Sequence, residues 1–209
     1  MEIVLSKALR LFLDGAAPAT RPEVLAAVAA EARSLQALAP GPDRAREVHR
    51  RVDAAQAQFG QLKPELVRAV RCQRGCSHCC RVRVELTPDE ADLLAERVRA
   101  GQAEPDRERL ERQRTWASAA DFIGKPHREA DCVFLGADGA CTVYADRPSA
   151  CRAVLVTSDP SLCREAGAGT QVQIVINPYL ELVRSAAQTL AAWEGHPPTW
   201  MAAALAARL

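Results

Sequence analysis

Apolar positions recur at helical spacing along most of this chain. Ile3, Leu5, Leu9, Phe12 and Leu13 form one side of a helix expected over 2–14. Thr20 stands three residues before Glu23, with Pro22 in the first turn, which is a capping-box spacing. Val24, Leu25, Val28 and Leu35 follow on one face. The stretch Pro40-Gly41-Pro42-Asp43 breaks the pattern. A third helix is expected over about 43–58, carrying Val48, Val52 and Phe59 and ending at Gly60. A short fourth over 63–70 leads to Cys72.

Thr87-Pro88-Asp89-Glu90 is a second capping-box signal, with Leu93, Leu94 and Val98 behind it. Residues 104–122 are densely charged up to Arg114 and read as a solvated helix or a crossing segment. Asn177-Pro178 is a cap followed by a first-turn proline. Tyr179, Leu182, Val183, Ala186, Leu190 and Trp193 then share one face. A last helix falls within 198–209.

Extended patterns are fewer. "CVFLGADGACTVY", residues 132–144, sets two apolar runs around Asp138-Gly139, a β-hairpin signal. "VRVEL" (82–86) and "QVQIVI" (171–176) are shorter candidates, and "AGAGT" (166–170) reads as a joint. The expected fold is therefore mainly α: a helical domain around a cysteine-rich metal centre, with a small β-hairpin. Residues 1–62 form an N-terminal helical region and 63–165 carry the cysteines. Residues 166–209 supply C-terminal helices that pack on them, as one compact unit.

Composition narrows the function. A chain of 209 residues, 48% of them hydrophobic, can bury a core. A net charge of +1 argues against nucleic acid or an anionic membrane as partner. The apolar N-terminal run is interrupted by Lys7 and Arg10 and follows Glu2, unlike a signal peptide. The expectation is a reducing cytoplasm, where thiols persist.

Eight cysteines then change the picture: 72, 76, 79, 80, 132, 141, 151 and 163. Four of them fall within nine residues, "CQRGCSHCC". Adjacent Cys79 and Cys80 pair poorly with each other as a disulfide. Burial as a small apolar residue accounts for one or two cysteines, Cys163 first, but not for this crowding. A metal site does account for it. Cys76 and Cys79 form a C-x-x-C step after Gly75, and Cys72 lies one turn back. In extended backbone Cys79 and Cys80 point apart, so one serves a second iron, a second metal or the core. Cys132 and Cys141 open the two hairpin strands and Cys151 follows the Pro148 turn. Arg147, Arg152 and Arg164 stand near enough in sequence to offset thiolate charge. Tyr144 and Arg147 are candidates to hydrogen-bond the same region. His78 is a candidate ligand, and the favoured reading is a partly exposed knuckle residue.

The pattern C-x3-C-x2-CC, then C-x-FL, DG-x-C-x-VY and RP-x-x-CR, resembles the YkgJ-like cysteine-cluster family, also described as the CxxCxxCC zinc- or iron-chelating domain. The residues that carry the resemblance are Cys72, Cys76, Cys79, Cys80, Cys132, Phe134, Leu135, Gly139, Cys141, Tyr144, Arg147, Pro148, Cys151 and Arg152. "VELTPDE" resembles the family's strand-then-helix step with its glutamate, here Glu90. The resemblance implies metal binding, with zinc or iron as the metal. A similar cysteine pattern occurs in flagellin lysine N-methylases, where an iron–sulfur cluster accompanies it. Only the cysteine portion is shared with those enzymes.

Thiolate-only ligation suits zinc or an iron–sulfur cluster. A 4Fe–4S cluster takes four thiolates, commonly three close in sequence and one remote, which fits 72–80 plus 132, 141 or 151. Two zinc ions fit the adjacent pair less well. The favoured reading is a cysteine-ligated iron–sulfur protein with a redox or accessory role. The alternative is a zinc-binding structural or chelating module that mediates protein interaction, or a metal carrier or sensor. The sequence carries no H-E-x-x-H, nucleophile elbow or P-loop, so it names no reaction.

Overall fold

A computed structural model of the chain describes residues 2–72, 75–116, 118, 121, 125, 127–165 and 172–209. The fold is mainly helical. Helix α1, Lys7–Asp14, begins later than the apolar pattern suggests. Its cap is Ser6, whose hydroxyl accepts from the Leu9 N–H at 3.1 Å. Ahead of it the chain is held extended. The Val4 N–H donates to Thr189 Oγ1 at 3.0 Å, and that hydroxyl donates back to the Val4 carbonyl at 3.0 Å. Tertiary hydrogen bonds thus override helix periodicity at Ile3 and Leu5.

Helix α2 spans Thr20–Gln36. The expected Thr20–Glu23 box does not form: Thr20 is already inside the helix, and Ala19 occupies the cap without a side-chain bond. The turn before it is closed by the Thr20 N–H on the Ala17 carbonyl at 2.9 Å. Helix α3, Pro42–Leu62, runs through Gly60, and α4 follows at Pro64–Ala69. Strand β1 (Glu85–Leu86) leads into α5, Pro88–Arg99, where the Thr87–Glu90 capping box is complete. Then come α6 (Arg107–Gln113), α7 (His127–Ala130) and α8 (Ser149–Arg152). Helix α9, Pro178–Trp193, is capped by Asn177, which accepts from the N–H groups of Tyr179 and Leu180. Strand β2 (Thr199–Trp200) and α10 (Met201–Ala206) end the chain.

Two apolar clusters organise these elements. One joins α1, α2, α3 and α9 through side chains such as Leu9, Leu35, Val52, Leu180 and Leu190. The other joins α5, α6, α10 and residues 133–143 through Leu86, Leu94, Phe134, Trp200 and Leu205. The charged segment 104–122 is more than a solvated crossing, because Leu110 and Gln113 are buried in it. The Trp200 indole N–H caps that helix by donating to the Gln113 carbonyl at 2.7 Å.

The small antiparallel hairpin is present at 132–144, reduced to one bridge between Leu135 and Cys141. A second antiparallel pairing, invisible in the local pattern, sets Glu85 opposite Trp200 and Leu86 opposite Thr199. In the 171–176 stretch, Ile174 bridges Val156, while Gln171 and the expected joint at 166–170 lie outside the described residues. Among the described residues no helix is long and apolar enough to cross a membrane.

Arg44 on α3 locks the clusters together. Its guanidinium donates to Asp89 on α5 at 2.6 and 3.1 Å and to Glu194, just past α9, at 2.7 and 2.6 Å. Asp89 also accepts from the Gly41 N–H at 2.7 Å. Removing one partner of a buried pair leaves the other charge desolvated. Arg44→Ala should therefore lose about 3 kcal/mol in denaturant unfolding, whereas Arg46→Ala, whose partners on Asp43 and Glu96 are more exposed, should lose about 1 kcal/mol or less.

Candidate metal centre

The chain enters the site from α4. The Arg71 N–H donates to the Val156 carbonyl at 2.8 Å, and the Val156 N–H donates to Cys72 Sγ at 3.2 Å. Gly75, at φ 88°, then turns the backbone in a way that favours glycine. A 3-10 turn over His78–Arg81 carries Cys79 and Cys80. The extended geometry expected for this pair is therefore replaced by a tight turn. The Cys132 N–H donates to the Cys80 carbonyl at 2.7 Å and ties the second cysteine group to the first. The tip of the hairpin closes over the C-x-x-C loop: a Cβ on Gly139 would stand 3.8 Å from Ser77 Oγ and 3.9 Å from the Gly75 carbonyl. Helix α8 brings Cys151, and the 3-10 turn Pro160–Glu165, with Cys163, packs on the His78–Arg81 turn.

These elements enclose a cavity of about 650 Å³ bordered by Cys72, Cys76, Cys79, Cys80, Cys132, Cys141 and Cys151, together with Tyr144 and Arg147. All eight cysteines are free and half-buried. Cys163 is not on the wall, yet its charged neighbours are Cys76, Cys72 and Cys79. Arg147 lies 4.3 Å over the Tyr144 ring and draws the Cys72, Cys79 and Cys141 thiols toward ionisation. Arg152 faces away. It pairs with both oxygens of Asp53 at 2.9 Å and donates to the carbonyls of Arg147 and Ala145, fastening the 145–147 loop to α3.

The donor set fits a thiophilic metal in kind. Burial pushes the Cys132 thiol up to about 12, against the pull of the Phe134 N–H on its sulfur. Burial also raises Cys72, Cys141 and Cys151. Amide bonds from Val156 and Val143 to the sulfurs of Cys72 and Cys141 work in the opposite sense. Amides aimed at sulfur are what a charged thiolate ligand needs. Cys80 shares a hydrogen bond with Cys79, which is lowered while Cys80 is raised. Among the described residues, no three His, Cys, Asp or Glu side chains are already closed around one point. The thiols share a space; they do not yet share a vertex.

Residues 71–171 match the family profile "CxxCxxCC: Putative zinc- or iron-chelating domain". This segment is similar to the CxxCxxCC family. No curated protein and no solved structure matches the chain. The match spans seven of the cavity's cysteines and Cys163 as well. It supports a cysteine-rich, metal-chelating character for this segment.

Several residues that position the CxxCxxCC domain carry no motif of their own. Arg109 donates to the Cys132 carbonyl at 3.2 Å and the Leu135 carbonyl at 3.1 Å, holding the first hairpin strand. Gln113 is fully buried and donates to the carbonyls of Glu129 and Asp131, both at 2.8 Å. Arg81 pairs with Asp131 at 2.8 Å, beside Cys80 and Cys132. The available signal was a polar, long side chain at the apolar spacing of a charged helix. His127 precedes this group in the chain and its side chain lies outside the described residues.

Glu90 is the central support. Its carboxylate accepts from the Thr87 N–H at 3.1 Å, the Thr87 hydroxyl at 3.2 Å and the Ser149 N–H at 2.7 Å. His49 Nε2 stands 3.4 Å away. Burial alone would raise this acid; His49 and the two backbone donors instead bring it to about 2 from an ordinary 4.5. A depressed acid stabilises the fold above its ordinary value, and that contribution disappears as pH falls through 2. Wild-type protein should lose about 3 kcal/mol between those values from this group alone. Acid unfolding of Glu90→Gln should lack that component, because glutamine does not titrate.

Proposed function

We propose that the CxxCxxCC domain holds an iron–sulfur cluster on its cysteine thiolates and serves as a redox or accessory centre. The observation that carries this reading is seven cysteines around one cavity of about 650 Å³. A structural zinc site closes four ligands on a single ion and leaves no such room. When bound, the cluster would supply one-electron transfer or a Lewis-acidic iron. The chain's own residues set its surroundings. The N–H groups of Phe134, Val143 and Val156 point at sulfur, Arg147 offsets negative charge, and Val133, Val143 and Phe134 line a low-dielectric wall. Those are the levers that tune a cluster's potential. A reducing cytoplasm is the compartment that this chemistry suits.

The raised thiols add a proton cost to metal uptake. Cys72, Cys132, Cys141 and Cys151 all sit above the ordinary thiol value, so at neutral pH they hold their protons in the metal-free chain. Each must release one to become a ligand. Metal affinity should therefore climb as pH is raised from 6 to 8 (roughly tenfold per unit for each proton released), measured by competition with a chelator.

The deciding measurement is anaerobic purification followed by elemental analysis, sulfide assay and a visible spectrum on the same sample. Iron and acid-labile sulfide in near-equal amounts, with brown colour that Cys132→Ser and Cys151→Ser both abolish, is the expected result. Colourless protein carrying zinc would overturn the cluster reading in favour of a structural or chelating module.

A further inference from the structure

The cavity wall does not end at the cysteines. It continues to α1 and α9, where Lys7, Leu11, Glu181 and Arg184 border it. A run of backbone bonds traces the connection. The Val156 N–H that donates to Cys72 Sγ belongs to a short antiparallel pairing, in which Val156 bridges Ile174 and the Val175 N–H donates to the Leu155 carbonyl at 2.9 Å. The second segment of that pairing runs directly into Asn177, the cap of α9. Val154, Leu155, Ile174 and Ile176 thus form an apolar floor between the thiols and the first turns of α9. Ile174 is 62% exposed and Leu11 is 55% exposed, so this end still has apolar surface to bury.

The polar groups at that end are unevenly matched. Glu181 is buried, and its carboxylate accepts from the Ser6 hydroxyl at 2.6 Å and from Arg184 Nη1 at 3.0 and 2.8 Å. Glu181 thereby cancels the charge of Arg184. Arg184 Nε is buried too, and it has no acceptor among the described residues. A buried donor without an acceptor is costly, and a ligand oxygen would relieve it. Lys7 follows Ser6 in the chain; its ammonium is exposed and pairs with no acid among the described residues. The other two basic side chains on the wall are engaged elsewhere: Arg83 pairs with Glu85 at 3.1 Å, and Arg147 lies over the Tyr144 ring. One net positive charge and one unmatched N–H therefore remain where α1 meets α9.

We propose that this end of the cavity binds a small amphipathic carboxylate, with its acid group held by Lys7 and Arg184 and its apolar body on Val154, Leu155, Ile174 and Ile176. A singly charged head matches the single net positive charge; a neutral or cationic head does not. The cavity, at about 650 Å³, has the size of a small-molecule site (about 300–1,000 Å³). A mostly apolar wall with a few convergent polar groups is the usual construction of such sites. The floor leads the body of the ligand toward Cys72, so ligand and thiols share one space. This site is built by α1, α9 and the paired segments 154–156 and 174–176, and it does not depend on which metal the thiols hold.

The test is calorimetric titration of anaerobically purified full-length protein with octanoate, using octanol and octylamine as neutral and cationic probes of the same body. Octanoate is expected to bind at one site per chain, octanol more weakly and octylamine not at all. Lys7→Gln should weaken octanoate about fivefold, as the loss of one exposed charge contact does. Arg184→Lys keeps a cation for Glu181 but removes Nε, and should weaken octanoate about tenfold or more. Octanoate binding no tighter than octanol or octylamine, or left unchanged by both variants, would overturn the site. Lys7 is exposed, so Lys7→Gln and the three probes still decide if Arg184→Lys fails to fold. Metal and sulfide content of the same sample keeps this result apart from the cluster. Brown protein that ignores octanoate loses only the carboxylate site, and colourless zinc protein that binds it loses only the cluster.

Discussion

A single buried carboxylate connects the helical scaffold to the cysteines. Glu90 begins as a local device, the third residue of a capping box that closes the N-terminus of α5. Its other oxygen leaves the helix and receives the Ser149 N–H at 2.7 Å, the first residue of α8. Two residues later that helix delivers Cys151 to the cavity. His49 of α3 stands 3.4 Å from the same oxygen. A carboxylate with donors from three elements is fixed in position by each of them. An error in the entry angle of α8 would leave a charge buried without partners, which costs far more than a displaced apolar contact. The thiol geometry is thereby referred to α3 and α5, elements that carry no cysteine.

The cysteine side of the structure is held by weaker and more numerous bonds. Val156 fixes Cys72, the Cys80 carbonyl fixes Cys132, and Arg109 fixes the strand that follows. The first two are backbone N–H bonds and the last are from a guanidinium, all to sulfur or carbonyl groups and each worth about 1 kcal/mol. Burial opposes thiol ionisation at Cys72, Cys132, Cys141 and Cys151, and among the described residues Arg147 supplies a cation to Cys72, Cys79 and Cys141 together. The balance leaves Cys72, Cys132, Cys141 and Cys151 holding their protons in the metal-free chain. Metal binding is then also an ordering step, because displacing several protons joins several segments at one point.

The sequence made part of this legible. The capping box at Thr87 and the cap at Asn177 needed only short-range chemistry, and both form. The box at Thr20 had the right spacing but the chain turns one step earlier, at Ala17. Ile3 and Leu5 were apolar at helical spacing, yet Thr189 on a helix far along the chain takes their backbone into an extended lead. The pairing of β1 with β2 is out of reach of any local pattern, since each strand is two residues long. Within the site, the C-x-x-C step and the hairpin cysteines pointed to one region, and they border one cavity. Arg152 did not: it stands beside Cys151 in sequence but its guanidinium goes to Asp53. Spacing reports which residues are near along the chain, while direction depends on the turn that carries them.

That distinction matters most at Cys79 and Cys80. Adjacent cysteines read as redundant if the backbone is extended, because one of the two must look away from any single metal. A 3-10 turn changes the geometry from opposite faces to adjoining ones. Both thiols then stay on the cavity wall, hydrogen-bonded to each other. The turn is short because the Cys80 N–H closes on the Ser77 carbonyl at 2.9 Å, and it is anchored at its end by Arg81 on Asp131. Loosening either bond would let the pair relax toward extended backbone and withdraw one sulfur from the cavity. The pairing of Arg81 with Asp131 is therefore part of the chelating architecture, although neither residue offers an atom to the metal.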